Sequence, residues 1–264
     1  MSQETAEKLE EFFSAFAGAE KTRLLLDYDG TLAPFRVDRF TARPWVGVLE
    51  LLKRIQRQGC TRMTVITGRP AGEIAPLLGL EPALEVWGLH GAERLFPDGR
   101  RELEETSTET RATLDELRER LRRDSLGGLF EDKANGVVMH WRGASPHKAR
   151  AIEQRARALF EPPARMDGLS LLEFESGLEL RAGRDKGAAV EAILSEMEAA
   201  APVAFLGDDL TDELAFRAVN AAGGTHLSAL VRREWRESEA DIWLKPPGEL
   251  VGFLARWISA AVGR

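Results

Sequence analysis

Three short apolar runs, Thr22–Tyr28, Arg62–Ile66 and Val203–Leu206, each break off in a polar cluster. The first ends in Asp27-Tyr28-Asp29-Gly30-Thr31-Leu32, the second in Thr67-Gly68-Arg69-Pro70, and the third in Gly207-Asp208-Asp209-Leu210-Thr211-Asp212-Glu213. Runs that are apolar at successive positions suit strands buried on both faces. A further strand is expected at Leu84–Trp87. Helical patterns separate the runs: Pro44 to about Arg57, a segment opened by Pro70 that ends near Leu78-Gly79, Lys186–Ala199, and Thr211–Val219. This alternation predicts an α/β fold with a doubly wound parallel sheet and right-handed crossovers. Ligands of such sheets bind beyond the carboxyl ends of the strands, where the three polar clusters fall.

The middle of the chain breaks the alternation. A strand pair is expected within Leu95–Leu103, around Pro97-Asp98-Gly99. A charged helix over about Thr108–Arg123 follows, then strands at Gly128–Lys133 and Gly136–Arg142. A helix over Pro146–Phe160 and strands at Leu169–Phe174 and Gly177–Arg181 complete the segment. Two strand pairs interleaved with helices predict a small α+β domain at 104–180, inserted in a core made of 1–103 and 181–264. The α/β pattern resumes after it and closes on a helix over Glu249–Val262.

At 264 residues the chain has room for one large or two modest domains. One cysteine, Cys60, excludes an internal disulfide, and no Cys/His spacing suggests zinc. A net charge of −7 argues against a nucleic-acid or membrane surface. Arg118–Arg123 alternates with acids and reads as a solvated helix face. With no signal-like or membrane-spanning apolar run, the expected location is the cytoplasm, and the expected assembly is a monomer.

Asp27 and Asp29 sit two residues apart at a strand end, where Gly30 lets the chain turn. Their repulsion needs an opposing charge, and a hard divalent cation prefers oxygen ligands. Asp208 and Asp209 supply more carboxylates, and Lys186 opens a helix beside them. Such a set makes a poor structural core and a good site for Mg²⁺ and phosphate. Helix or turn capping explains one such acid, but not three strand-edge clusters together.

Asp-Tyr-Asp-Gly-Thr-Leu after a buried strand, Thr67 after the second strand, Lys186 before a helix, and Gly-Asp-Asp with later acids resemble the four motifs of haloacid-dehalogenase-type (HAD) phosphatases, in the same order. The resemblance implies a HAD-like Rossmannoid core, with the insertion similar to an α/β (C2-type) cap. It implies that Asp27 is the nucleophile on phosphorus and that Asp29 is the acid and then the base. It implies that Thr67 and the Gly68 amide hold phosphoryl oxygens, and that Lys186 offsets charge on phosphate and on Asp27. Mg²⁺ would be held by Asp27, the Asp29 carbonyl and Asp208, with Asp209 and Asp212 as a further ligand or an outer support.

Gly207–Glu213 resembles the Gly-Asp-Asp-x-Thr-Asp-Glu signature of the trehalose-6-phosphate phosphatase family. Gly88-Leu89-His90-Gly91-Ala92-Glu93 resembles its Gly-x-His-Gly-x-Glu segment. Phe130-Glu131-Asp132-Lys133 with His140-Trp141-Arg142 resembles its cap pattern. Carried over, Arg69 and His90 join the substrate-binding residues, and Glu131, Lys133 and Glu179 bond sugar hydroxyls. The expected partner is therefore a small sugar phosphate. Ser176-Gly177 and the missing proline after Glu179 depart from the pattern, so glucosylglycerol, glucosylglycerate or sucrose phosphate remain alternative substrates. A phosphoacceptor signalling domain would lack the insertion and the need for Asp29. A P-type pump would carry threonine in place of Asp29 and span a membrane, and a catalytically dead module would not keep four intact motifs.

Overall fold

The structure, a computed structural model, describes all residues except 1–2, 18, 37, 124–128, 134, 175, 198–200 and 262–264. In chain order the elements are α1 (Gln3–Phe16), β1 (Thr22–Leu26), α2 (Val48–Gln58), β2 (Thr61–Ile66), α3 (Ile74–Leu78), β3 (Glu85–Gly88), β4 (Glu93–Leu95) and β5 (Arg101–Leu103). Then come α4 (Thr108–Arg123), β6 (Phe130–Lys133), β7 (Gly136–His140), α5 (Pro146–Phe160), β8 (Leu169–Phe174) and β9 (Gly177–Ala182). The last are α6 (Lys186–Ser195), β10 (Val203–Gly207), α7 (Glu213–Asn220), β11 (His226–Val231), β12 (Ile242–Leu244) and α8 (Gly248–Ala261). The expected strand start at Gly128 and the expected helix ends at Ala199 and Val262 lie outside the described residues.

The chain divides into two compact units, 1–103 with 186–264, and 104–185. The first holds an eight-stranded sheet in the order β12-β11-β10-β1-β2-β3-β4-β5. Its strands run parallel from β12 to β3, and the hairpin β4–β5 adds two antiparallel strands at one edge. Strand β1 is buried at every position because both of its faces are covered. Leu24 and Leu26 pack with α1, α2 and α8, while Leu25 packs on the opposite face with α6 and α7. The doubly wound α/β fold expected from the sequence is therefore the fold observed.

The helical periodicity of Leu9, Phe12, Phe13 and Phe16 produces α1, which the reading of the strand–helix alternation did not anticipate. Its apolar face meets α8, and Trp257 lies fully buried among Phe12, Phe13, Phe16 and Phe253. The Trp257 indole N–H donates to Thr61 Oγ1 at 3.0 Å. Helix α2 starts at Val48, four residues beyond Pro44. The Trp45 amide and indole donate to the carbonyls of Leu32 and Thr31, and Gly47 turns with φ 88°. These bonds commit 44–47 to the loop that follows β1.

In the second unit β6-β7-β9-β8 form an antiparallel sheet. Val137, Met139, Leu178 and Leu180 pack beneath α4 and α5 on one face. Strand pairing sets Glu131 opposite Val138 and Glu179 opposite Val138, so these residues share the other face. By the two-residue period Lys133, His140 and Arg181 belong to that face too. None of the described helices is long and apolar enough to cross a membrane.

Truncating Trp257 to alanine should empty the aromatic cluster and orphan the Thr61 contact. We expect a loss of about 3–5 kcal/mol in urea-induced unfolding. A loss below about 1 kcal/mol would show that α1 and α8 dock without it.

Candidate active site at the carboxyl edge of the sheet

Parallel pairing of β1 with both β10 and β2 brings three strand ends to one edge. Asp27 leaves β1 with its amide donating to the Leu206 carbonyl, so its position is fixed by the ladder to β10. The next turn requires Gly30. Its φ is 86°, and a Cβ there would lie 2.0 Å from Asp208 Oδ2. The missing side chain is what lets the β10 loop deliver Asp208 against the β1 loop.

Asp27, Asp208 and Asp212 converge with ligand oxygens within 4.8 Å of one another, all buried. Lys186, at the start of α6, donates to Asp27 Oδ1 at 2.8 Å and to Asp212 Oδ1 at 2.7 Å. Thr31 Oγ1 lies 3.2 Å from Asp27 Oδ2 and 3.4 Å from Asp208 Oδ1, and its single proton serves one of them at a time. The second oxygen of Asp212 accepts the Asp208 and Asp209 amides at 2.9 and 3.0 Å. Asp212 therefore shapes the loop as well as holding Lys186. Asp209 instead caps the 3-10 turn at Leu210–Asp212, with Oδ1 accepting the Leu210 amide. Of the two acids that the sequence offered as a further ligand or outer support, Asp212 lies in the converging trio and Asp209 does not.

Burial, opposed by Lys186 and reinforced by Asp212 and Asp29, pushes Asp27 up to about 7. Burial, with Asp27, Asp212 and Asp209 nearby, holds Asp208 well above the ordinary carboxylate range. Burial works against the charge on Lys186, but Asp212 and Asp27 outweigh it and keep the ammonium protonated. Three carboxylates facing one ammonium leave an excess of negative charge in a dry pocket. An all-oxygen donor set with that excess fits a hard divalent cation, with Asp27 and Asp208 presenting oxygens that Lys186 does not occupy.

The β2 edge supplies the remaining groups. Thr67 is buried, and its hydroxyl oxygen accepts the Arg69 amide at 3.2 Å. Gly68 is exposed, and a Cβ on it would meet His90 Nε2 at 2.6 Å, so the imidazole lies directly over this turn. Arg69 grips Asp29 with Nε at 2.6 Å and with Nη2, sends Nη1 to the Arg39 carbonyl at 2.7 Å, and stacks over Tyr28. The carboxylate of Asp29 is thus turned to Arg69, outside the Asp27–Asp208–Asp212 cluster.

The profile of the trehalose-phosphatase family matches residues 25–242, which contain every one of these groups. The chain belongs to the trehalose-phosphatase family. The trehalose-phosphate phosphatase of Mycobacterium marinum is 30% identical over 249 residues, covering 89% of this chain and 61% of that protein. A bifunctional trehalose-6-phosphate synthase/phosphatase of Thermoproteus tenax is 34% identical over 203 residues, covering 76% of this chain and 27% of that one. The chain therefore spans about three-fifths of the mycobacterial relative's length. The Aspergillus fumigatus trehalose-6-phosphate phosphatase superposes with a TM-score of 0.70 at 24% identity, covering 98% of each chain. A haloacid dehalogenase-like hydrolase from Bacillus subtilis gives 0.58 at 19%, over 89% of this chain and 99% of that one. These structural likenesses establish the HAD-type fold of this trehalose-phosphatase family member.

In the second unit of this family member, Lys133 Nζ bonds Glu179 Oε2 at 2.8 Å, and His140 Nε2 lies 2.9 Å from Glu131 Oε2. The suggested sugar-reading residues are thus already paired on one sheet face. Arg142 falls beyond the end of β7. The motif reading gave no role to Thr31 or to Arg232, whose Nη1 reaches the Asp208 carbonyl at 3.4 Å. Thr31 was visible within Asp-Tyr-Asp-Gly-Thr, but Arg232 carries no local signal.

A raised carboxylate pKa means that the folded chain keeps a proton that the unfolded chain has lost. Folding therefore loses stability as pH rises from about 4 through 7 when no cation is present. Replacing Asp208 by asparagine should raise the melting temperature above wild type at pH 8 in chelator. With a divalent cation added the order should invert. A variant less stable than wild type in chelator would contradict the charge excess.

Proposed function

We propose that this protein is a Mg²⁺-dependent trehalose-6-phosphate phosphatase working through an aspartyl-phosphate on Asp27. The observation that carries the reading is the buried Asp27, bridged by Lys186 to Asp212 and packed against Asp208. Family membership and the relatives named trehalose-phosphate phosphatase support the substrate. The cation would be held by Asp27 and Asp208, and when bound it neutralises phosphoryl charge beside the nucleophile.

On this reading an Asp27 oxygen attacks phosphorus, and the bond from phosphorus to the sugar oxygen breaks. Asp29 gives its proton to that oxygen. Asp29 then takes a proton from water, whose oxygen attacks phosphorus, and the bond to Asp27 breaks to restore the carboxylate. Lys186 stays protonated and balances charge on Asp27 throughout. The Thr67 hydroxyl and Gly68 amide orient the phosphoryl oxygens. Arg69 occupies both oxygens of the Asp29 carboxylate, so proton transfer to the sugar oxygen requires the carboxyl to part from Arg69.

We assign the unit at 104–185 the role of a cap that reads the sugar through Glu131, Lys133 and Glu179. A site that pairs hydroxyls discriminates strongly against analogues lacking them. Phosphate release from trehalose 6-phosphate should need Mg²⁺ and vanish in EDTA. Replacing Glu131 or Lys133 by alanine should lower kcat/KM on this substrate about ten- to hundredfold, the worth of a hydrogen bond to a charged group. Hydrolysis of p-nitrophenyl phosphate should change little. Parallel loss on both esters would mean that these residues hold the unit together, and preference for another glucosyl phosphate would move the substrate assignment.

A further inference from the structure

The carboxylate of Glu93 on β4 is 1% exposed and belongs to none of the groups assigned above. Its Oε2 accepts the Ala71 amide at 2.8 Å, and its Oε1 pairs with the half-exposed Arg101 on β5. Ala71 closes the segment Thr67-Gly68-Arg69-Pro70-Ala71 that leaves β2 at the catalytic edge. The same segment is also held by the β3–β4 connection. The Leu89 amide donates to the Arg69 carbonyl and the His90 amide to the Thr67 carbonyl, each at 2.8 Å. Leu89 and His90 take left-handed φ values of 49° and 57° to make those bonds, a conformation that side-chain-bearing residues rarely adopt. Gly88 completes the junction, since a Cβ there would lie 2.4 Å from the Ala71 nitrogen, 2.8 Å from the Arg69 carbonyl and 2.9 Å from Glu93 Oε2.

We propose that Glu93 is a positioning residue for phosphoryl transfer. Its bond to the Ala71 amide fixes the turn that presents the Thr67 hydroxyl, the Gly68 amide and the Arg69 clamp on Asp29. The proposal rests on the phosphatase reading and deepens it. A buried carboxylate on a backbone amide is a strong, short anchor. It anchors the far end of the segment, beyond the carbonyls of Thr67 and Arg69 that the Leu89 and His90 amides hold, where the chain runs on as a 3-10 turn over Ala71–Glu73 and the five-residue helix α3. The Arg101 pair is a separate matter. It neutralises the outer oxygen and stabilises the hairpin, and the catalytic effect should follow the inner oxygen alone.

Two conservative substitutions separate these roles. Glu93→Gln keeps an oxygen for the Ala71 amide and removes the charge. Glu93→Asp keeps the charge and withdraws the oxygen by about 1.5 Å, beyond hydrogen-bond reach. Arg101→Ala removes only the outer partner. Each is assayed on trehalose 6-phosphate and on p-nitrophenyl phosphate, with inhibition by inorganic phosphate and the melting temperature measured alongside. We expect Glu93→Asp to lose kcat about 10- to 100-fold on both esters and to bind phosphate correspondingly less well. Glu93→Gln should recover most of both, and Arg101→Ala should lower only the melting temperature. Wild-type kcat and phosphate inhibition in Glu93→Asp would overturn the proposal, as would a Glu93→Gln that falls as far as Glu93→Asp. Should Glu93→Asp not fold, Gly88→Ala presses on the same junction, and wild-type kcat in that variant would overturn it equally. A wild type inert on trehalose 6-phosphate but active on p-nitrophenyl phosphate ends the substrate reading alone and leaves this comparison decisive.

Discussion

The ammonium of Lys186, buried between Asp27 and Asp212, is the contact on which the rest of the site depends. Without it three carboxylates would share a pocket with no positive charge, an arrangement costing several kcal/mol per ion. Its position requires α6 to begin where it does, against the loop that leaves β10. That loop keeps its shape because Asp212 spends its second oxygen on the amides of Asp208 and Asp209. One side chain therefore fixes the lysine and the loop together. The charge that remains is negative, which suits a cation more than it suits a stable apoprotein.

A second constraint is geometric. Asp27 and Asp208 come from strands that are neighbours in space but 181 residues apart in number only through β1 and β10 pairing, and Gly30 is what allows their loops to touch. The β2 loop reaches the same edge by the parallel register of β1 with β2. The site is thus a property of the sheet order, and the helices on both faces serve it by keeping the strands buried and straight in register.

Much of this was legible in the sequence. Continuous apolar runs ending in acids predict buried parallel strands with a site at their carboxyl edge, and the Asp27, Thr67, Lys186 and Asp208 segments converge there. What escaped had physical causes. The stripe Leu9, Phe12, Phe13 and Phe16 has a helix period but lies in an acidic, low-hydropathy segment, so α1 is apparent only once α8 offers a partner. The choice between Asp209 and Asp212 depends on which carboxylate reaches Lys186 and the other acids, and spacing alone does not decide that. The Arg69–Asp29 pair and the Glu93–Ala71 bond join residues 40 and 22 positions apart and need the folded sheet to exist at all.

The central claim is that Asp27 accepts the phosphoryl group. Rapid acid quench of the enzyme turning over trehalose 6-phosphate with Mg²⁺, followed by peptide mass spectrometry, tests it directly. The account predicts that the peptide bearing Asp27 gains the mass of one phosphoryl group, and that the gain is lost on treatment with hydroxylamine. Turnover with that peptide unmodified at every quench time, or with the group on another residue, would contradict it.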